Sequence, residues 1–427
     1  MKMMAPFLIV GMGKSGQAAL RLLGLLGVPR SACSTFDAKP GLADLSKPEQ
    51  ALALKPKTLV VSPGFDLKTH WLQTLLKTGA ELTSELDLAC QQLTSEKVIG
   101  VTGSMGKSTT TSLLAVAARA FDANSFAGGN LGFPLADYVS DVLEKTRGRA
   151  TWIVLELSSY QLENCRHLKT HVSVLTALSQ NHLERYAGLE DYYGTKWTLL
   201  ARTQGSFYLN FENSEVVRWC QAKLTPKCIP VTPNDSLLVS LRLSESQLIG
   251  RHNQQNLAIA ARIALDLKWP PQALQALKDY RGLEHRLEFV SKKNQLLFIN
   301  DSKATTVQSV LAAVDSCLDL VGPTRFLILL AGGRDKGLPW EDLGTLRTNS
   351  SVKVLFFGEC GGLAQQKSKL EGPHFPSLKK ALEAAQTQAG PGDVVLLSPG
   401  GSSHDEFQNF EQRGDFFKSW VKSLEGL

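Results

Sequence analysis

The sequence predicts an α/β protein made of mostly parallel sheets in three successive domains. Three observations carry that expectation. Short apolar runs recur along the whole chain, helical patterns separate them, and the runs close on glycine, serine or aspartate. Runs that are continuously apolar, without alternation, indicate strands covered on both faces, as in parallel sheets flanked by helices. In such sheets ligands bind beyond the carboxyl ends of the strands, so the polar residues closing each run are the candidates for function.

The runs are FLIVG (7–11), TLVVSPG (58–64), KVIGVTG (97–103), WIVLELS (152–158), VSVLTALS (172–179), LLFIND (296–301), FLILLAGG (326–333), VKVLFFG (352–358) and DVVLLSPG (393–400). They fall into three blocks, expected as domains over 1–92, 93–282 and 283–427. The first block opens with strand, turn and helix in FLIVGMGKSGQAALRLL (7–23). Gly11, Gly13 and Gly16 have the spacing of a dinucleotide-binding loop, and Asp37 follows about twenty residues later, where an acid would meet a ribose. The same turn suits any diphosphate, because it presents backbone N–H groups at a helix N-terminus. VSPGF (61–65), with Gly64, is a second glycine-bearing strand exit and an expected wall of the same pocket.

The second block opens on another phosphate loop, VTGSMGKSTTTSLL. Gly103 and Gly106 let the backbone curl its N–H groups around an anion. Lys107 supplies a point charge for the β- and γ-phosphates, and Ser108 at the helix start offers a hydroxyl to Mg²⁺. A strict nucleotide-binding pattern has glycine where Val101 stands. Two phosphate loops in two domains argue against a simple nicotinamide dehydrogenase, which has no use for the second. Glu156 closes WIVLE, where a buried acid would reach Mg²⁺ beside the loop hydroxyl or cap a helix. Asn253 and Asn256 in RHNQQN suit a helix cap.

Bulk composition bounds the function. With 427 residues, 43% hydrophobic and 20% charged, the chain is an ordinary globular one. No apolar run approaches the ~20 residues of a membrane span, and MKMMAPFLIVGMG lacks the form of a signal peptide. Seven scattered cysteines without a C-x-x-C pair point to reduced thiols, and the expected location is the cytoplasm. The excess of six positive charges is dispersed, which argues against a nucleic-acid partner.

TGSMGKSTT resembles the ATP loop of the Mur ligases, which build the peptide of peptidoglycan precursors; their usual form has Thr-Asn where Ser104 and Met105 stand. LELSSYQLE (155–163), NHLERYAGLEDYYGTKW (181–197), GRHNQQNLAIAARIA (250–264), GLEHRLEFV (282–290), INDSKATT (299–306) and LLSPGGSSHDEFQNFEQRGDFF (396–417) follow in family order. SSYQLE and NFEQRG are similar to the branch that adds D-glutamate to UDP-N-acetylmuramoyl-L-alanine. Two further departures are Thr306, in place of Asn, and Asn181, in place of an acid.

The resemblance implies a Rossmann-like N-terminal domain for the UDP-sugar, a central P-loop ATPase-type domain and a Rossmann-like C-terminal domain for the amino acid. ATP would be held by Gly103, Ser104, Met105, Gly106, Lys107, Ser108, Thr109, Asn253, Asn256, Arg286 and Asp301. Two Mg²⁺ ions would be held by Ser108, Glu156, His182 and, if carbamoylated by CO₂, Lys196. The UDP-sugar would meet Gly13, Lys14, Ser15, Gly16, Asp37, Gly64, Asn130 and Ser158. D-Glutamate would meet Thr305, Lys336, Ser403 and Phe410. Lys107, His182, Lys196, Arg286 and Lys303 are the expected catalytic residues, with His182 or a water taking the amine proton. No membrane partner is expected, and the chain is expected to be a monomer. The alternatives are another Mur or folylpolyglutamate-synthase-like amide ligase, a dehydrogenase, and a non-catalytic nucleotide sensor.

Overall fold

The computed structural model describes residues 4–130, 132–180, 185–221, 223–241, 243, 246, 248–293, 295–321 and 324–424. His182 and Asn181 lie outside the described residues.

The first sheet holds β1 (Phe7–Val10), β2 (Cys33–Phe36), β3 (Thr58–Val61) and β4 (Glu81–Thr83). Its order is β2-β1-β3-β4 and every pairing is parallel. The second holds β5 (Lys97–Thr102), β6 (Phe126–Gly129), β7 (Trp152–Glu156), β8 (Val172–Leu175), β9 (Phe207–Asn210) and β10 (Cys228–Val231). Its order is β10-β9-β8-β5-β7-β6, again wholly parallel. The third holds β11 (Glu288–Lys293), β12 (Leu296–Asn300), β13 (Leu327–Gly332), β14 (Val352–Phe357), β15 (His374–Phe375) and β16 (Val394–Gly400). Its order is β11-β12-β16-β13-β14-β15, with β11 antiparallel to β12 and the rest parallel.

The α/β class is as expected, with one difference: the third sheet is mixed, because β11 and β12 form an antiparallel hairpin. The run 172–179 also stops early as a strand. Its last four residues leave the sheet to hold the phosphate loop: Ala177 O accepts from Ser104 N at 2.6 Å and Ser179 O accepts from Ser104 Oγ at 3.0 Å.

The chain forms two compact units. One is Met1–Leu243 with Gln255–Leu277; the other is Ser244–Gln254 with Lys278–Leu427. In the first unit one hydrophobic cluster runs through both sheets, from Phe7 and Ile9 to Leu155 and Leu175, and another, with Leu8, Val10, Leu59 and Leu72, covers the other face of the first sheet. The helices Lys14–Leu25, Glu85–Cys90 and Leu135–Leu143 pack on one another within it. Arg21 of the first of these pairs with Asp141 of the third and with Glu144 just past its end. In the second unit, Val307, Val310, Leu329 and Trp340 fill one face of the third sheet, and Leu330, Leu382 and Phe417 the other. Continuous apolar strands buried on both faces follow from this arrangement. Among the described residues, no helix is long and apolar enough to cross a membrane.

Candidate functional site

β5 runs into the turn Gly103–Gly106 and the helix Lys107–Phe121. Gly103 sits at φ 149°, and a Cβ there would stand 2.1 Å from Thr176 Oγ1, so only glycine lets the loop lie this close to the β8 exit. Thr176 Oγ1 donates to Met105 O. Met105 itself is exposed, so its replacement of the family's Asn leaves the backbone curl intact. Lys107 Nζ donates to Gly103 O at 2.9 Å and to Ser104 O at 3.1 Å. Ser108 and Thr109 stand in the first helical turn, where the helix field favours an anion. Asn256 Oδ1 lies 2.8 Å from the place a Cβ on Gly106 would occupy. The structure therefore gathers Gly103–Thr109 and Asn256 at one loop.

Lys196 reaches the same loop. Its Nζ donates to Gly103 O at 2.9 Å and lies 4.5 Å from the Tyr192 ring centre, with only 1% of the residue exposed. Burial first, and then the neighbouring Lys107 charge, push its pKa down to about 6. At neutral pH this lysine is an uncharged amine.

Glu156 ends β7 directly opposite Val101 of β5. It is 2% exposed, and Oε1 accepts from Asn130 Nδ2 at 2.6 Å. Oε2 is buried and, among the described residues, has no hydrogen-bond partner. A buried carboxylate oxygen left this way is costly unless something else binds it. A carboxyl oxygen at the end of the strand paired with the one that enters the phosphate loop has the hard-donor chemistry that Mg²⁺ requires. Among the described residues, no group of three or more His, Cys, Asp or Glu side chains forms a metal site.

Asn130 also faces the other way. It lines a cavity of about 440 Å³ together with Gly13, Lys14, Ser15, Asp37 and Gly64. Six of the residues expected at the UDP-sugar thus share one cavity. Lys14 Nζ donates to Gly132 O at 3.5 Å. Asp37 accepts from Lys39 N and Met12 N, both at 2.9 Å, and these bonds hold its carboxyl below the usual range. Gly16 and Ser158 do not line the cavity. A Cβ on Gly16 would stand 1.9 Å from Gly11 O, so Gly16 serves close packing of helix on loop. Ser158 caps the helix Ser159–Glu163: its Oγ accepts from Gln161 N at 3.2 Å. Ser62 and Phe65, from the VSPGF exit expected as a wall of this pocket, line the cavity, and so does Gln161 of SSYQLE, a residue with no expected site role.

Asn253, Arg286, Asp301 and Lys303 belong to the second unit. Asn253 Nδ2 donates to Ile249 O at 2.7 Å. Arg286 is flanked by two left-handed residues, His285 (φ 61°) and Leu287 (φ 44°), a strained bend of the kind found at functional sites. Asp301 accepts from Ser398 Oγ at 2.8 Å and Leu287 N at 3.2 Å, and burial pushes its carboxyl up to about 7. Lys303 Nζ lies 3.7 Å over the Phe410 ring. Burial, and then the Arg286 charge, lower its pKa. Thr305 is half-buried after β12, Lys336 is exposed after β13, and Ser403 is buried after β16. Thr306, where the family has Asn, caps the next helix by accepting from Ser309 N at 3.2 Å, a task either residue performs.

Comparison with known proteins identifies the family. Residues 101–232 match the Mur ligase middle domain, and residues 285–401 match the Mur ligase glutamate ligase domain. The UDP-N-acetylmuramoylalanine–D-glutamate ligase of Solibacter usitatus is 34% identical, over 98% of this chain and 98% of that one. The ligase of the same name from Desulfitobacterium hafniense is 32% identical, over 97% of each chain. Among solved structures, the MurF ligase of Thermotoga maritima in complex with ADP shares the fold. It has a TM-score of 0.56 at 15% identity, over 88% of this chain and 91% of that one. The chain belongs to the Mur ligase family, alongside relatives named UDP-N-acetylmuramoylalanine–D-glutamate ligase.

Proposed function

We propose that this protein is an ATP-dependent carboxylate–amine ligase that joins D-glutamate to UDP-N-acetylmuramoyl-L-alanine in peptidoglycan precursor synthesis. One observation carries the reading. Asn130 lines the sugar-nucleotide cavity while its amide grips Glu156, the acid that stands beside the phosphate loop. Two anion cradles thereby share a wall, which suits an enzyme that must bring one anion onto another.

The assignment of parts follows. Residues 1–92 hold the UDP-sugar, with Gly13, Lys14, Ser15, Asp37, Gly64 and Asn130 around it. Residues 93–282 hold ATP at Gly103–Thr109 and Asn256. Residues 283–427 hold D-glutamate at Thr305, Lys336, Ser403 and Phe410, with Arg286, Asp301 and Lys303 serving the nucleotide and the developing charge. Ser108, Glu156 and a carbamoylated Lys196 fit two Mg²⁺ ions, with His182 as the family's further ligand. Bound there, the metal offsets the negative charge of the triphosphate and the carboxylate.

The chemistry is a double transfer. A carboxylate oxygen of the alanyl group attacks the γ-phosphorus, ADP departs, and an acyl phosphate remains. The amine of D-glutamate attacks its carbonyl carbon, phosphate departs, and the amine loses a proton to His182 or water. The first step is needed because a carboxylate is too poor an electrophile for an amine. Lys107 supplies the fixed positive charge for the transferring phosphoryl group.

Phosphate release tests this. With ATP and UDP-N-acetylmuramoyl-L-alanine present, D-glutamate is expected to start turnover, while L-glutamate, L-lysine and meso-diaminopimelate are not. Turnover with another of these amino acids, and none with D-glutamate, would contradict the reading.

A further inference from the structure

Four segments of the second unit carry the residues assigned to the amino acid: the β12 exit with Thr305 (and Lys303 beside it), the β13 exit with Lys336, the β16 exit with Ser403, and the start of the helix Phe410–Ser423. Arg413, one turn into that helix, is wholly buried among them. Its Nε donates to Ser302 Oγ at 3.0 Å, Nη2 to Ser302 O at 2.9 Å and Nη1 to Gly401 O at 3.2 Å. Ser302 Oγ donates in turn to Phe410 O at 2.8 Å. One guanidinium therefore ties the β12 exit to the β16 exit and, through Ser302, to the first residue of the helix. The β13 exit rests on it as well: a Cβ on Gly333 would stand 3.1 Å from Nη1.

Every one of these acceptors is neutral. Among the described residues no carboxylate forms an ion pair with Arg413, although buried charges are normally paired. The acids that act on it from a distance are Asp405 and Glu406. Each is held elsewhere, Asp405 by Glu359 N and Glu406 by Leu378 N. Burial lowers the guanidinium only to about 10, so it is a cation at neutral pH. The fold thus keeps a buried positive charge with no carboxylate among the described residues in direct contact, offset only through space by Asp405 and Glu406, under the loops that would receive a dicarboxylate. An entering carboxylate would find its counter-charge already buried and unable to move, which is the condition for electrostatic preorganisation.

We propose that Arg413 is a positioning residue for the amino-acid substrate: it fixes the loops bearing Lys303, Ser403 and Phe410, and its buried charge, which touches no carboxylate among the described residues, favours the arrival of the substrate's. The inference rests on the reading of this chain as a D-glutamate-adding ligase. It goes beyond that reading by assigning a task to a residue that cannot itself touch the substrate.

Steady-state kinetics on the full-length enzyme test it, with D-glutamate, ATP and UDP-N-acetylmuramoyl-L-alanine each varied in turn. R413M removes the charge and the ties, and R413K keeps only the charge. The KM for D-glutamate is expected to rise about a hundredfold in R413M and about tenfold in R413K, the size of lost charge-assisted hydrogen bonds. The KM values for the other two substrates should stay within about twofold, an amount too small to reflect a lost hydrogen bond. A merely structural role would move all three KM values together or lower kcat alone, and either result overturns the inference. So does a KM for D-glutamate that stays at the wild-type value in folded variants. Should the Arg413 variants fail to fold, Ser302→Ala decides: a selective rise in the KM for D-glutamate supports the inference and no rise overturns it. A wild-type enzyme that ignores D-glutamate altogether would defeat the functional reading itself, and the inference with it.

Discussion

Lys196 holds its amine where water scarcely reaches, on the same carbonyl that Lys107 uses. Its pKa near 6 leaves a nucleophilic amine at pH 7. Such an amine adds CO₂ to give a carbamate and a proton, turning a buried base into an oxygen ligand. Bicarbonate should therefore stimulate the decarbonated enzyme, and Lys196→Ala should abolish the stimulation and lower kcat by roughly a hundredfold or more, the usual effect of losing a charge-stabilising group. As pH falls through about 6 the amine gains a proton and cannot take up CO₂, so stimulation should fade there. Full activity in Lys196→Ala would rule out a working carbamate. The lysine's place in YGTKW made it visible in the sequence only through the family pattern; its burial and its neighbour became visible only in the folded chain. Ser158 shows the converse. Its motif was plain, but its hydroxyl caps a helix and does not line the cavity.

Two contacts between elements set the shape of the cavity end of the first unit. Glu85 opens the helix Glu85–Cys90, and its Oε1 accepts from Ala136 N at 2.6 Å at the start of the helix Leu135–Leu143. Complete burial raises its carboxyl from 4.5 to about 7. The folded chain therefore holds this proton more tightly than the unfolded one. Its contribution to stability is fullest below pH 4.5, declines as pH rises, and is lost above about 7. Glu85→Gln keeps an acceptor and removes the charge. Denaturant unfolding should show the variant more stable than wild type at pH 8 by about 1–3 kcal/mol, and equal at about pH 4.5. An equal difference at both pH values would contradict this.

Arg185 is the second contact. Its guanidinium lies 4.0 Å over the Tyr160 ring, donates to Pro63 O at 3.2 Å and pairs with Glu163 at 2.9 Å. It thereby ties the β3 exit of the first sheet to the helix that supplies Gln161, and Pro63 and Gln161 both line the cavity. Arg185→Met should raise the KM for the UDP-sugar about tenfold with little change in the KM for ATP, as expected for one lost hydrogen bond to a charged group. Equal shifts for both substrates would make the contact a general support. No short motif announces Glu85 with Ala136 or Arg185 with Pro63, because each pair joins residues far apart in the chain.

Across the whole molecule, the nine strands legible in the sequence are the central ones: β1 and β3 in the first sheet, β8, β5 and β7 in the second, and β12, β16, β13 and β14 in the third. Of the strands not foreseen, β2, β4, β6, β10, β11 and β15 are the edge strands of the three sheets, while β9 lies one place in from an edge. The reason is physical. A central parallel strand is buried on both faces and reads as an unbroken apolar run, as in FLIV of β1 or LILLAG of β13. An outer strand is short or partly exposed, like ELT of β4 or HF of β15, and its polar residues hide it. The phosphate loops were legible because glycines at fixed spacing between a central strand and a helix are what a backbone cradle for an anion requires. The wall between the two cradles was not legible, since Asn130 and Glu156 meet only because β6 pairs with β7.

The functional reading stands or falls with that shared wall, and a crystal structure with UDP-N-acetylmuramoyl-L-alanine and a non-hydrolysable ATP analogue is its sharpest test. The diphosphate is expected at Gly13–Ser15 and the triphosphate at Gly103–Ser108, with the alanyl carboxylate turned toward the γ-phosphate past Asn130 and Glu156. Density for the two compounds on remote surfaces, or a loop at 103–106 left empty with both present, would refute it.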